Sequence, residues 1–160
     1  MEFRSVTIDI PEGVNLILGQ THFIKTVEDL YEIMVGTSPQ VNFGIAFCEA
    51  SGECLIRVVG NDSTLEEAAI ANAQELGAGH SFIILLKDAY PINFLNAIKQ
   101  CPEVCNIYCA TANPVEVIVA ESQRGRGIMG VIDGFSPKGV ETGADVKARQ
   151  NLLRQIGYKL

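Results

Sequence analysis

Two short stretches of this sequence carry residue types that could do chemistry. The first is Gly77–Ser81 (GAGHS), where one of only two histidines in the chain follows a pair of glycines. The apolar run Phe82–Leu86 begins two positions after that histidine, His80. A histidine at the start of a rigid buried strand can be reached by a ligand, and its neutral imidazole is a competent nucleophile. Alternatively, His80 has only a structural role and forms hydrogen bonds at the end of the strand. A single histidine is weak evidence for catalysis.

The second stretch is Arg124–Gly130 (RGRGIMG), in which two arginines alternate with the first two of three glycines. The glycines match the GxGxxG dinucleotide-binding pattern, but that fingerprint lies between a strand and a helix, and here strand flanks strand. Glycines expose backbone N–H groups and arginines supply forked donors for phosphate. Arg124, Arg126 and Gly127 are therefore candidate phosphate contacts. The alternative is a flexible hairpin with solvated arginines.

A third set of polar residues follows strands later in the chain. Thr111 and Asn113 end a predicted strand before a proline, and in open α/β sheets ligands collect beyond the carboxyl ends of strands. Asp133 lies between a predicted strand and Gly134, where it could hold a metal, orient a histidine, accept a sugar hydroxyl or make an Asx turn. Because His80 lies at the start of its own strand, it joins these residues only if a neighbouring strand runs the other way.

Composition narrows the class of protein. The 160 residues fit one domain, and 48% hydrophobic residues are enough for a sizeable core. A net charge of −7 argues against a general nucleic-acid or anionic-membrane surface, because phosphate groups attract clustered Lys and Arg. No apolar stretch has membrane-spanning length, and Glu2, Arg4 and Asp9 are unlike a signal peptide. We therefore expect a cytoplasmic protein.

The cysteines indicate reduced thiols. Their number is five, which is odd, and no C-x-x-C is present. Cys101, Cys105 and Cys109 are spaced four apart, whereas zinc favours closer ligand pairs or nearby histidines. Core filling is therefore the predicted role of these cysteines, and no metal site is predicted from them.

The pattern of apolar residues predicts a single-domain α/β layered sandwich with a mixed sheet and antiparallel hairpins. Two hairpins are predicted early in the chain, from 3–10 with 14–19 and from 42–50 with 54–59. A third, long hairpin is predicted near the end, turning at 122–125. Helices are predicted from Thr26, from a capping box at Ser63 or Thr64, at Ile92–Gln100 behind Pro91, and at Asp145–Gly157.

Four stretches resemble the adenosine-specific kinase family, and the resemblance covers essentially the whole chain. They are Asn42–Ser51 (NFGIAFCEAS), Gly77–Ile84 (GAGHSFII), Cys105–Val119 (CNIYCATANPVEVIV) and Gly125–Gly139 (GRGIMGVIDGFSPKG). The resemblance implies a three-layer α/β fold that binds adenosine and AMP and carries a phosphorylated histidine. His80 matches that histidine by lying in the glycine-rich motif, and His22 is the fallback. Thr111, Asn113, Arg126 and Asp133 fall in matching motifs.

Two functions follow as hypotheses. One is phosphoryl transfer to adenosine, with His80 as a covalent relay and Asp133 orienting it or holding Mg²⁺, the one cofactor considered. The other is an adenosine or AMP sensor without turnover, since no recognisable ATP-binding loop exists. Phe82, Tyr90 and Phe135 are candidates for stacking on adenine. A homo-oligomer is also expected, because exposed strand edges need cover.

Overall fold

The computed structural model describes residues 1–160, which form eight strands and four α-helices. The strands are β1 (Glu2–Ile8), β2 (Asn15–Thr21), β3 (Asn42–Cys48), β4 (Ile56–Gly60), β5 (Ser81–Lys87), β6 (Val104–Thr111), β7 (Val115–Glu121) and β8 (Arg126–Asp133). The helices are α1 (Thr26–Thr37), α2 (Ser63–Leu76), α3 (Leu95–Gln100) and α4 (Gly143–Gln155). None of the helices is long and apolar enough to cross a membrane.

The central sheet has five strands in the order β4-β3-β5-β2-β6, and every neighbouring pair is antiparallel. β5 lies in the middle, and Ser81–Leu86 are buried. Its continuous apolar run is therefore explained by cover on both faces, as the sequence predicts. β3 and β4 form the predicted hairpin.

A second, small sheet has the order β1-β7-β8 and is also antiparallel. β7 and β8 form the predicted late hairpin, but the predicted first hairpin is wrong. β1 pairs with β7, whereas β2 pairs with β5 and β6, so the turn at Gly13 sends consecutive strands into different sheets. A mixed sheet was expected, but all paired strands are antiparallel. The one parallel pairing is an isolated bridge between Ala78 and Arg126.

The elements pack in three layers around the central sheet. On one face, α2 and the small sheet cover a cluster that includes Leu18, Ile83, Leu85 and Val117. On the other face, α1 and α3 cover a cluster that contains Phe43, Phe47, Phe82 and Phe94. Phe82 is fully buried there, so this stacking candidate is a core residue.

Two helix starts differ from the sequence prediction. The side chain of Asp62 caps α2 by accepting a hydrogen bond from the Leu65 N–H at 3.1 Å, so the predicted Ser63 or Thr64 capping box is wrong. Pro91 opens a short 3₁₀ turn, Pro91–Asn93, and α3 begins only at Leu95. At the other end of α2, Gly77 adopts the expected left-handed conformation, with φ 58°.

Candidate functional site

His80 is held by its backbone in an unusual conformation. Its φ of 61° is positive, a region that few residues other than glycine adopt. Its N–H donates to the Cys48 carbonyl at 2.7 Å, and its carbonyl accepts from the Thr21 N–H at 2.9 Å. The half-buried imidazole stacks on Phe47 with ring centroids 5.9 Å apart and planes at 19°. The surrounding structure fixes this strained residue, which is how strain persists at functional sites.

The position of His80 follows from the antiparallel sheet. β2 and β3 flank β5 and run opposite to it, so their carboxyl ends lie beside the start of β5. β6, which ends at Thr111, runs in the same direction as β5, since both are antiparallel to β2, so the condition for bringing Thr111 and Asn113 to His80 is not met. Thr21 and Cys48 are the last residues of β2 and β3.

A cleft of about 820 Å³ opens beside this end of the sheet. One wall is the Gly77–Gly79 segment, a second is the end of β3 with Glu49 and Ala50, and the third is the turn Ser122–Gly127. The two glycine-rich stretches singled out in the sequence thus face one cleft. The His80 ring is outside its lining, because it packs on Phe47 in the cluster beneath α1 and α3.

The two arginines of the second stretch have different environments. Arg126 begins β8 and turns toward α2, where its Nη1 donates to the Glu75 carbonyl at 2.7 Å and its Nε lies 3.2 Å from Glu121 Oε2. It therefore joins the carboxyl end of α2 to the small sheet. Arg124 lies in the turn, and its guanidinium is exposed in the cleft without a hydrogen-bond partner in the protein. Arg124 therefore carries the free guanidinium of the cleft.

Acidic groups in the cleft are already compensated. Glu49 accepts the Leu55 N–H at 2.8 Å and an Arg57 N–H at 2.8 Å, and these bonds lower the pKa of its carboxyl. Glu121 is paired with Arg126 and also with Arg4, at 3.1 Å. An anionic ligand therefore meets Arg124 and the open glycine backbone, while the carboxylates beside it are engaged elsewhere.

The remaining predicted residues lie together at the opposite end of the sheets. Asn113 Nδ2 donates to Asp133 Oδ1 at 3.1 Å, and the Asn113 N–H donates to Thr111 Oγ1 at 3.0 Å. Phe135 follows and is 84% exposed. We call Thr111, Asn113, Asp133 and Phe135 the distal cluster.

The distal cluster is far from the cleft. β8 is eight residues long, with Arg126 at one end and Asp133 at the other. At about 3.3 Å per residue its ends lie roughly 23 Å apart. Since Arg126 is bridged to Ala78 beside His80, Asp133 does not contact His80 within one chain. Asp133 is also a single carboxylate already bonded to Asn113, so by itself it makes an incomplete magnesium site.

One buried ionic group was missed by the sequence reasoning, although it lies at the His80 end. Lys25 Nζ lies 2.9 Å from Glu103 Oε1 and also pairs with Asp29, while the Cys101 thiol donates to Glu103 Oε2 at 2.9 Å. The backbone of Glu103 accepts the N–H of His22 at 3.1 Å. The i, i+4 spacing of Lys25 and Asp29 was the one available signal.

These contacts set the protonation of the group. A hydrogen bond shared with the Asp29 carboxyl, together with those that the Cys101 thiol and the Lys25 ammonium donate, lowers the pKa of Glu103 to about 2, and burial together with Glu103 raises the pKa of the Cys101 thiol to about 11. Asp29, Cys101 and Glu103 are the only three potential metal ligands that lie within 4.8 Å of one another. Because the Lys25 ammonium contacts both carboxylates and the Cys101 thiol donates to Glu103, the group joins the start of α1 to the segment before β6.

The remaining cysteines and the second histidine, His22, differ mainly in how exposed they are. All five cysteines are free thiols, and Cys48, Cys101 and Cys109 are buried, as core filling predicts. Cys54 and Cys105 are exposed, so the predicted core role is wrong for Cys105, which lies on edge strand β6 before the register shift that precedes Cys109. His22 is exposed beside Phe23, with ring centroids 6.1 Å apart.

Comparison with known proteins adds the family. The model of a family described as "Adenosine specific kinase" matches residues 6–159. The chain belongs to this family. Among solved structures of similar fold is the crystal structure of the PH1918 protein from Pyrococcus horikoshii OT3, at 47% identity and a TM-score of 0.94. That alignment covers 99% of this chain and 98% of the PH1918 chain. None of the functionally curated proteins is significantly similar to the chain.

Membership of the adenosine-specific kinase family supports adenosine as a ligand. The description of the family also includes kinase activity. The three-layer α/β architecture expected from the resemblance is the one observed.

Proposed function

We propose that this protein binds adenosine and AMP in the cleft between the Gly77–Gly79 segment and the Ser122–Gly127 turn, and that it transfers a phosphoryl group to adenosine through His80. The observation that carries the proposal is the meeting of the two glycine-rich stretches around one cleft of about 820 Å³. That volume falls in the range of small-molecule sites, roughly 300–1,000 Å³. Adenosine is the ligand because of the family.

Phosphate recognition is assigned to Arg124 and to the open backbone. The Arg124 guanidinium faces the cleft unpaired, whereas Arg126 is engaged by Glu75 and Glu121. Arg126 therefore shapes the cleft wall rather than contacting phosphate. Gly127 lines the cleft with nothing within 4 Å of an added Cβ, so its backbone is open to a ligand.

The transfer has two balanced steps. A lone pair on an unprotonated His80 ring nitrogen attacks the terminal phosphorus of a nucleotide-type donor, the bond from phosphorus to the leaving oxygen breaks, and the donor leaves with that electron pair. The adenosine hydroxyl then attacks phosphorus, the P–N bond breaks, and the hydroxyl proton passes to solvent. Arg124 would stabilise charge on the equatorial oxygens. A magnesium ion, if it accompanies the donor, supplies charge neutralisation.

A second candidate, a sensor that binds AMP without turnover, is favoured by one observation. The imidazole of His80 stacks on Phe47 and does not line the cleft. The relay therefore requires the ring to turn away from Phe47. The distal cluster is assigned no part in a transfer within one chain, because the length of β8 separates it from His80. A homo-oligomer is also proposed, and its interface is argued below.

The deciding experiment is intact-protein mass followed by peptide mapping at neutral pH, before and after ATP and then adenosine. We expect a phosphoryl adduct on His80 that disappears as AMP forms. His80→Asn should abolish the adduct while keeping the fold, since asparagine tolerates the left-handed region. His22→Asn is the matched control and should retain it. Saturable AMP binding with no adduct from any donor would reject the relay and leave the sensor.

A further inference from the structure

The last part of the chain differs in charge from the rest. Residues 135–160, here called the arm, hold five basic and two acidic residues, whereas residues 1–134, the body, hold seven basic and seventeen acidic ones. The arm is therefore net positive by three and the body net negative by ten. Opposite charge of this kind favours association between the two parts.

The arm does not pack on its own body. No residue of α4 is buried, and Leu152 and Ile156, which share one face at i, i+4 spacing, are 54% and 52% exposed. A capping box between Thr142 and Asp145 fixes the start of the helix. An isolated helix of this length is marginal in water, so tertiary cover of its apolar face must supply its stability.

A matching uncovered surface exists on the small sheet. Alternation puts Phe3, Ile118, Gly130 and Ile132 on the face that points away from the central sheet, opposite Val117 and Val119 in the core. Phe3 is 67% and Ile132 49% exposed, and nothing lies within 4 Å of a Cβ added at Gly130. A glycine there lets a helix approach closely. Glu116 also projects from this face, hydrogen-bonded to Ser5 at 2.6 Å.

We propose that the arm of one copy of this chain docks on the outer face of the small sheet of a second copy. The apolar side chains Leu152 and Ile156 would cover Gly130 and its neighbours on the outer face of the small sheet. Lys147 and Arg154, which have no acidic partner in the chain, would meet the acidic body, whereas Arg149 is already paired with Glu141 of the arm at 2.8 Å. The partner is a second copy because the arm and the body are opposite in net charge, and because the apolar face of the arm and the outer face of the small sheet are both uncovered in the single chain. This specifies the interface of the homo-oligomer proposed above and makes no use of adenosine binding.

The test is sedimentation velocity on the full-length protein without ligand, with one variant on each side of the interface. Leu152→Gln combined with Ile156→Gln removes the apolar face of the arm. Gly130→Lys places a cation on the acceptor surface, where the monomer has open space. Both variants should weaken assembly by at least about tenfold, which corresponds to 1.4 kcal/mol.

Matched controls separate the interface from general surface change. Ile92→Gln removes an aliphatic side chain that is 63% exposed elsewhere, and Gly36→Lys adds a cation at an open glycine of α1. Both should assemble like the unmodified chain. Assembly should also weaken as NaCl rises from about 0.05 to 0.5 M, because salt screens the attraction between arm and body.

The outcomes are decisive. A monomer at about 100 μM, the concentration scale of weak association, would overturn the proposal, and so would an oligomer that both interface variants leave intact. Circular dichroism of each variant confirms that loss of assembly is not loss of fold. Calorimetric titration of the same variants with adenosine is read separately, so a failed interface is distinguishable from a failed ligand assignment.

Discussion

The two ends of the molecule hold their polar groups differently. At the His80 end, backbone hydrogen bonds hold His80 and the Arg126 contacts to α2 hold a wall of the cleft, while the buried Glu103 side chain is bonded within an ionic group. At the distal cluster, side chains bond mainly to one another on an exposed surface, as Asn113 does with Asp133. A ligand that binds at the His80 end meets groups already in place, whereas the exposed side chains of Asn113, Asp133 and Phe135 lose rotational freedom when a ligand contacts them.

Removing the Arg126 side chain should have the largest effect. Arg126→Ala deletes the bonds to Glu75 and Glu121, so we expect the free energy of unfolding to fall by about 1–2 kcal/mol. The cleft wall also loses its link to α2, so affinity for both adenosine and AMP should fall. Urea denaturation and calorimetric titration measure the two effects. Unchanged stability would show that the guanidinium does not hold the wall.

Arg124→Ala should affect binding without affecting stability. The side chain is exposed, so the free energy of unfolding should stay within about 0.5 kcal/mol. Affinity for AMP should fall about tenfold because a phosphate contact is lost, and affinity for adenosine should hardly change. An equal loss for both ligands would contradict a phosphate role for Arg124.

The Glu103 group should make stability depend on acid. Its folded pKa, about 2, lies below the ordinary value of 4.5, so its contribution is fully present above pH 4.5 and declines as pH falls toward 2. Glu103→Gln removes this titration, so unfolding measured between these pH values should show a shallower loss than in the unmodified chain. Parallel pH profiles for the two proteins would refute the assigned ionisation.

Asp133→Ala should have the smallest effect. It removes one exposed hydrogen bond to Asn113, which is worth roughly 0.5 kcal/mol. Phosphorylation of His80 should stay within about twofold of normal, because β8 separates the two sites in one chain. A large loss in the phosphorylation assay would mean that a second copy brings Asp133 to the His80 end, and it would remove the distinction between the two ends.

Local sequence patterns predicted most of the helices and strands. They predicted which strands pair with each other only in part. The apolar run of β5 and the turn chemistry of the β3–β4 and β7–β8 hairpins are read from neighbouring residues. The turn at Gly13 exists, with the Val14 N–H donating to the Pro11 carbonyl at 3.1 Å. It does not determine pairing, because β1 finds β7 more than a hundred residues later. Long-range pairing leaves little trace in one sequence.

For the candidate site as well, the sequence predicted individual residues but not the contacts between distant elements. The motifs pointed to His80, Arg124 and Arg126, but they did not predict that the two glycine-rich stretches face one cleft. They could not distinguish the two arginines, since Arg126 is turned toward α2 by a contact between elements fifty residues apart. The Glu103 group was missed because its members lie in α1 and in the loop before β6.

The pairing of β1 with β7 has a consequence for how the chain folds. The central sheet needs nothing beyond residue 111, so it can assemble while the rest of the chain is still being synthesised. β1 cannot pair until β7 has emerged, and until then its backbone N–H and C=O groups stay open. The small sheet, and with it the Ser122–Gly127 wall of the cleft, is therefore the last part to form. A nascent chain therefore has its central sheet before it has a binding site.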